Sequence, residues 1–190
     1  TDVFRTIEEL QREGYSILPF QELPLHIQKL KNFFKETLIF KRVSKLEVQS
    51  ELKLEFQDLQ DELRNLSYIF TSIINSQRTS SLELVEPLCP KIVFETYDEF
   101  YLNHAYTSYM SYREPLREIV WHTHPDSYTV IIPIIEPNTL LKINEREQSI
   151  LPNMVFLFRG DIDHSSPPVN SNILRSFILF RFDRLKSSQI

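Results

Sequence analysis

The feature that most constrains this chain is a change of period near its middle. Up to residue 86 its apolar residues recur every three or four positions. Beyond Pro87-Leu88-Cys89-Pro90 they come in short bursts separated by turn formers. The clearest helical stripe is Leu52, Phe56, Leu59, Leu63, Leu66, Phe70 and Ile73, at alternating spacings of four and three, which predicts one long amphipathic helix. Before it, Asp2 is placed to cap a short helix carrying Phe4, Ile7 and Leu10 on one side and ending at Gly14. Tyr15 to Leu18 reads as a brief strand before Pro19. A second helix starts near Pro24 with Ile27, Leu30, Phe33 and Phe34. The long stripe has two readings, a brace against a sheet or a coiled-coil seam that would make a homodimer. Three heptads are the minimum for a seam, so the brace is the preferred reading.

The second half reads as strands. Val93, Tyr106, Tyr109, Val120, Val130 to Ile135, Leu140 to Ile143, Val155 to Phe158 and Phe177 to Phe180 mark apolar runs. Glu136-Pro137-Asn138, Leu151-Pro152-Asn153 and Ser165-Ser166-Pro167-Pro168 separate several of them. Helices followed by many short strands predict an α+β fold: a jelly roll (double-stranded β-helix) of about eight mainly antiparallel strands, braced by N-terminal helices. With 190 residues the expectation is one domain, 1–190. Residues 1–86 form its mostly helical part and 87–190 its jelly-roll core. A formal charge of −5 argues against a nucleic-acid partner. The single Cys89 excludes an internal disulfide and suits a reducing compartment. No apolar run is long enough to span a bilayer and no leader is evident, so a soluble cytoplasmic protein is expected. Thr1 in place of Met suggests a trimmed start.

Chemistry concentrates in two stretches, His122-Thr123-His124-Pro125-Asp126 and Gly160-Asp161-Ile162-Asp163-His164, followed by Arg175. If a strand runs from Ile119 to His124, alternation puts His122 and His124 on one face and Trp121 on the other. Pro125 then ends the ladder, so Asp126 falls in the turn beyond. His164 follows an apolar strand, and Gly160 can let the chain bend towards a shared mouth. Two imidazoles and one carboxylate can occupy one face of an octahedral ion and leave its other positions for substrates, as in non-haem Fe(II) oxygenases.

The segments Trp121 to Tyr128 and Gly160 to Pro168, with Arg175, resemble the Fe(II)/2-oxoglutarate-dependent dioxygenase superfamily. Within it they are most similar to the phytanoyl-CoA-hydroxylase-type branch, whose N-terminus the stretch Glu8 to Leu18 also resembles. The resemblance implies His124, Asp126 and His164 as iron ligands and as the catalytic centre. Arg175 would then bind the distal carboxylate of the cosubstrate 2-oxoglutarate. It implies oxidation of a small-molecule or modified amino-acid substrate with molecular oxygen, releasing succinate and CO2. Retention of Asp126 favours hydroxylation over halogenation. An Arg presents a planar fork matched to a carboxylate.

Other residues compete for these roles. His122 can replace His124 or stand behind a ligand. Lys142, on a middle strand, rivals Arg175 as anchor for the cosubstrate. Tyr112 and Tyr128 flank the metal motif and are candidates for contacting the cosubstrate. His26 and His104 lack partners and read as structural. Two rival functions remain: a cupin-type metal enzyme using His122, His124 and His164 without 2-oxoglutarate, and a silent jelly-roll binding module.

Overall fold

A computed structural model of the chain describes residues 3–19, 25–34, 59–76, 84–95, 110–113, 119–122, 127–135, 140–143, 146–149, 154–162, 164–166 and 175–185. The helices are α1 (Val3–Glu13), α2 (Leu25–Phe34) and α3 (Leu59–Ser76). Strand β1 (Tyr15–Pro19) lies between the first two. The other strands are β2 (Val85–Pro87), β3 (Lys91–Glu95), β4 (Met110–Arg113), β5 (Ile119–His122) and β6 (Ser127–Ile135), then β7 (Leu140–Ile143), β8 (Arg146–Ser149), β9 (Met154–Arg159), β10 (His164–Ser166) and β11 (Arg175–Arg184). Asp2, Leu52, Phe56, Tyr106 and Tyr109 lie outside the described residues.

The strands form two sheets. The large one runs β1-β9-β6-β11-β3-β4, with β2 also paired to β11; the small one runs β5-β10-β7-β8. Every pairing is antiparallel except β3 with β4, which is parallel. The α+β expectation therefore holds, with eleven strands among the described residues rather than eight. Pro133 sits inside central strand β6, where it lacks an N–H for the ladder. The register accordingly slips there, from Ser176↔Ile135 to Phe177↔Pro133, as a bulge at a proline allows.

Period-2 alternation gives the large sheet two faces. Tyr128, Val130, Ile132 and Ile134 of β6 join Ile178, Phe180 and Phe182 of β11 in one buried cluster with Leu10, Ile27, Leu59, Leu63 and Phe70 of the helices. Phe70 meets Phe180 edge-to-face, with ring centroids 5.3 Å apart. The described part of the long stripe, Leu59 to Ile73, is thus covered by the chain's own sheet, the bracing role. Ser67 enters that buried stripe because its hydroxyl donates to the carbonyl of Leu63 at 3.0 Å, which satisfies it inside the helix. At the end of α3 the Asn75 amide pairs with Val85 in both directions, Nδ2 to its carbonyl at 3.3 Å and Oδ1 from its N–H at 3.0 Å. The opposite face of the sheet carries a smaller cluster of Phe156, Phe158 and Ile162, with Tyr15, Ile17 and Ile131 against it.

One expectation for α1 needs correcting. Phe4 was placed on the inner side with Leu10, yet it is 85% exposed, while Thr6 and Leu10 are buried. Thr6 and Leu10 are four apart and share a face. Phe4 precedes Thr6 by two residues, about 200° around a helix of 3.6 residues per turn. Gly14 ends the helix as expected, with φ of +84°. The Leu10 carbonyl accepts from both the Gly14 N–H at 3.0 Å and the Arg159 guanidinium at 3.4 Å. Arg159 also pairs with Asp161 at 3.0 Å, so helix α1, β1 and the end of β9 meet at one point.

Gly14→Ala tests this junction. A Cβ there would stand 3.2 Å from the Arg159 guanidinium, and the left-handed backbone costs a side-chain-bearing residue about 1–2 kcal/mol. Thermal unfolding should show Tm lowered by several degrees; an unchanged Tm would mean the junction relaxes freely.

Candidate metal centre

Strands alternate between the two sheets through very short connections. Four residues separate β5 from β6, β6 from β7, β8 from β9 and β9 from β10. Fully extended, such a link spans only about 18 Å, which suits sheets stacked face to face at about 10 Å. Two of these four-residue links carry the motif residues. Thr123 to Asp126 joins β5 to β6, and Gly160 to Asp163 joins β9 to β10. The separation of 38 positions between Asp126 and His164 (164 − 126) is short because the four strands between them are joined this tightly.

The structure fastens the two links together at both ends. On the small sheet, His122 and His164 are directly opposed Cα partners of the antiparallel β5–β10 pair. On the large sheet, the Gly160 N–H donates to the Ser127 carbonyl at 2.7 Å. Ile162, two residues before His164, is buried against Phe156 and Phe158 on the face of the large sheet turned away from the helices. His124 and Asp126 lie outside the described residues, between two ends that are fixed beside the His164 link. Among the described residues no group of three His, Cys, Asp or Glu side chains is close enough to hold a metal.

The remaining candidates separate by register. Arg175 opens β11 opposite Glu95, eight residues along the strand from Asp183, the partner of Ser127. At about 3.3 Å per residue it stands at the end of the β6–β11 ladder away from the motif. Lys142 pairs with Ser165, while His164 pairs with Ile143; Lys142 is therefore one step out of phase with His164. Tyr112 lies on β4 in register with Phe94. Tyr128 is 2% exposed and belongs to the main core cluster, on the helix-packed face. Its burial there accounts for this tyrosine as a packing residue.

A residue that the sequence reading passed over lies nearer. Arg181 pairs with Thr129, one alternation from the Ser127↔Asp183 pair. It alternates with Phe180 and Phe182 of the main core, so it belongs to the face away from the helices. Its Nε is buried and makes no hydrogen bond among the described residues. The signal was present in the sequence: the alternation of β11 continues past Phe180 through Arg181-Phe182-Asp183-Arg184.

In kind, the donors that these links and their flanking strand ends offer, the imidazoles of His122, His124 and His164 and carboxylates including Asp126, are of the types that hold a divalent iron with open positions left over. No family model matches the sequence, and no curated protein matches it. Similarity is found in solved structures. SnoN, a non-heme alpha ketoglutarate dependent epimerase from nogalamycin biosynthesis, superposes with a TM-score of 0.59 at 7% identity, over 96% of this chain and 83% of that one. EvdO2 from Micromonospora carbonacea var. aurantiaca, solved in complex with 2-oxoglutarate, gives 0.57 at 11% identity, over 95% and 90%. AviO1 from Streptomyces viridochromogenes gives 0.54 at 14% identity, over 96% and 95%. The fold is shared with these proteins; residue roles do not follow from identity this low.

The His122–His164 register can be tested without any activity. Opposed residues of an antiparallel pair have Cα atoms about 4.5–5.5 Å apart, within disulfide range. His122→Cys with His164→Cys, in a Cys89→Ser background, should form an internal disulfide detected as a loss of two mass units per chain. Free thiols persisting under oxidant would contradict the register.

Proposed function

We propose that this chain is an Fe(II)- and 2-oxoglutarate-dependent oxygenase of the phytanoyl-CoA-hydroxylase-type branch. It hydroxylates a small-molecule or modified amino-acid substrate. The observation that carries this reading is the double fastening of the 123–126 and 160–163 links, by His122 opposite His164 and by Gly160 N–H to Ser127. Both motifs leave their sheets side by side, so His124, Asp126 and His164 can reach one ion. The likeness in fold to enzymes that use alpha-ketoglutarate supports the same reading.

Bound iron would supply oxygen activation: one O2 is consumed, one oxygen atom enters the substrate, and the other enters succinate as 2-oxoglutarate loses CO2. The chain's own residues do the rest. His124, Asp126 and His164 hold the ion, and their neutral and anionic forms limit the net charge to be stabilised. Phe156, Phe158 and Ile162 form an apolar floor beside the second link, which excludes water and strengthens charge–charge contacts in the space above. The two sheets are, on this reading, the halves of a double-stranded β-helix, with the reaction at the mouth where the links cross.

One observation favours a second reading: His122 stands directly opposite His164 in register, which is compatible with an all-imidazole set of His122, His124 and His164, as in a cupin-type enzyme. Asp126 decides between them. Anaerobic titration of the Fe(II) protein with 2-oxoglutarate should give a weak visible charge-transfer band in the wild type. Asp126→Ala, His124→Ala and His164→Ala should each abolish stoichiometric iron binding. His122→Ala should weaken it by no more than the roughly 10–100-fold typical of a group that only orients a ligand. Iron retained by Asp126→Ala and lost by His122→Ala would reverse the order of the two readings.

A further inference from the structure

We propose that Arg159 clasps the carboxyl end of helix α1 to the second link, residues 160–163, and so makes the N-terminal helix a positioning element of the candidate metal centre. This rests on the reading above for the metal, but the clasp itself stands on separate observations. Arg159 closes β9 and bonds in two directions, twice in each. Towards α1, its N–H donates to the Gly14 carbonyl at 2.8 Å and its Nη1 to the Leu10 carbonyl at 3.4 Å. Towards the link, its carbonyl accepts from the Ile162 N–H at 3.4 Å, and its Nε donates to Asp161 Oδ1 at 3.0 Å. A residue that served only to anchor the helix would need the first two bonds and not the second two.

Both ends of the clasp suit a guanidinium. The last carbonyls of a helix have no partner inside it and carry the negative end of its dipole. Arg offers several donors in one plane and is always charged, so separate nitrogens serve the Leu10 carbonyl and the Asp161 carboxylate at once. Gly14 leaves room for it, since a Cβ there would stand 3.2 Å from Nη2. On the link side, Ile162 is buried with Phe156 and Phe158, and the Gly160 N–H is bound to Ser127. The link is therefore held at three successive residues, Gly160, Asp161 and Ile162. His164 follows Ile162 by two residues, at most about 7 Å of chain, so the point at which the chain enters β10 is set by the clasp. Asp161 is 61% exposed, and so exposed an ion pair adds little to the stability of the whole fold. Its effect is local order, which lowers the entropy that a ligand must remove on binding.

The test is amide hydrogen exchange on the metal-free full chain, read residue by residue by NMR, followed by Mn(II) titration of the same variants. Arg159→Met and Asp161→Ala should each speed exchange at Gly160 and Ile162 by about 3–10-fold relative to amides of the β6–β11 ladder, as expected for losing one charge-assisted contact near the surface. Gly14→Ala should do the same from the helix side. Mn(II) affinity should fall by a similar factor in all three. Asn75→Ala, which cuts the tie between α3 and Val85, controls for lost stability: it should lower Tm and leave both the link amides and Mn(II) affinity at wild-type values. Arg159→Lys keeps the charge and should recover part of the loss, and it stands in for Arg159→Met should that variant not fold. Faster exchange confined to α1 and Gly14 would make Arg159 a helix anchor alone and overturn the proposal. Link amides that keep wild-type rates in Asp161→Ala would overturn it too, as would Mn(II) affinity in Arg159→Met equal to that of Asn75→Ala. Wild-type protein that binds no Mn(II) would count against the oxygenase reading instead, and the exchange rates would then judge the clasp by themselves.

Discussion

A chain that leaves one sheet and enters another within four residues has almost no choice of where it lands. This chain makes that crossing four times, and two of the crossings are tied to each other. The Gly160 N–H on the Ser127 carbonyl fixes where the links meet the large sheet, and the β5–β10 pair fixes where they meet the small one. Each fastening alone is modest, about 1 kcal/mol net for a typical backbone hydrogen bond. Their effect is geometric. With both ends of both links set by ladders, the points where the chain enters and leaves each link are fixed before any ligand binds, and on the proposed reading a site assembled in advance would lose less entropy on binding.

The large sheet makes this possible because its two faces have different tasks. The helix-packed face holds the larger cluster, including Phe70 on Phe180 and fully buried Leu59, Leu63 and Ile74. Burying each such side chain stabilises the fold by about 1.5–3 kcal/mol, so this face can carry most of the stability. The other face is thereby released from a purely packing role and can hold groups such as Arg181 and Thr129 that a core would reject. Helix α3 thus bears on the far side of the sheet only indirectly, by stabilising the sheet from its other face. Asn75 extends the same logic to the edge. Its side-chain amide satisfies both backbone groups of Val85, a buried residue of the main core cluster.

Long apolar periods were legible in the sequence, and short polar elements were not. The stripe from Leu59 to Ile73, the strand at Tyr15 and the stop at Gly14 follow from local rules and recur in the structure. Strand β8, Arg146-Glu147-Gln148-Ser149, has no apolar alternation and pairs with β7 alone, so only the tertiary ladder defines it. Strand β10 is three residues long and has no apolar run to mark it, although its pairing with both β5 and β7 places His164. For the site, the sequence supplied residue types and spacing but no distances between strands. It therefore singled out Arg175 and passed over Arg181 on the same strand, although β-ladder register puts Arg181 nearer the motif end.

The ladder rows of the inner face form a gradient that the histidines do not create. Starting from the motif end, the β6–β11 rows are Ser127 with Asp183, Thr129 with Arg181, Ile131 with Leu179 and Pro133 with Phe177. The first two are polar and the next two apolar. A packed core has no reason to place its polar rows together at one end, since each buried polar group must be satisfied or lost from water. On the proposed reading a ligand entering at the motif mouth would supply that reason: its charged groups would meet the polar rows, and the apolar rows beyond would close the space against water. The polar end coincides with the end where His122, Ser127, Gly160 and His164 converge. Two independent features of the chain, the spacing of its candidate metal-binding residue types and the polarity of its sheet rows, therefore point to one location.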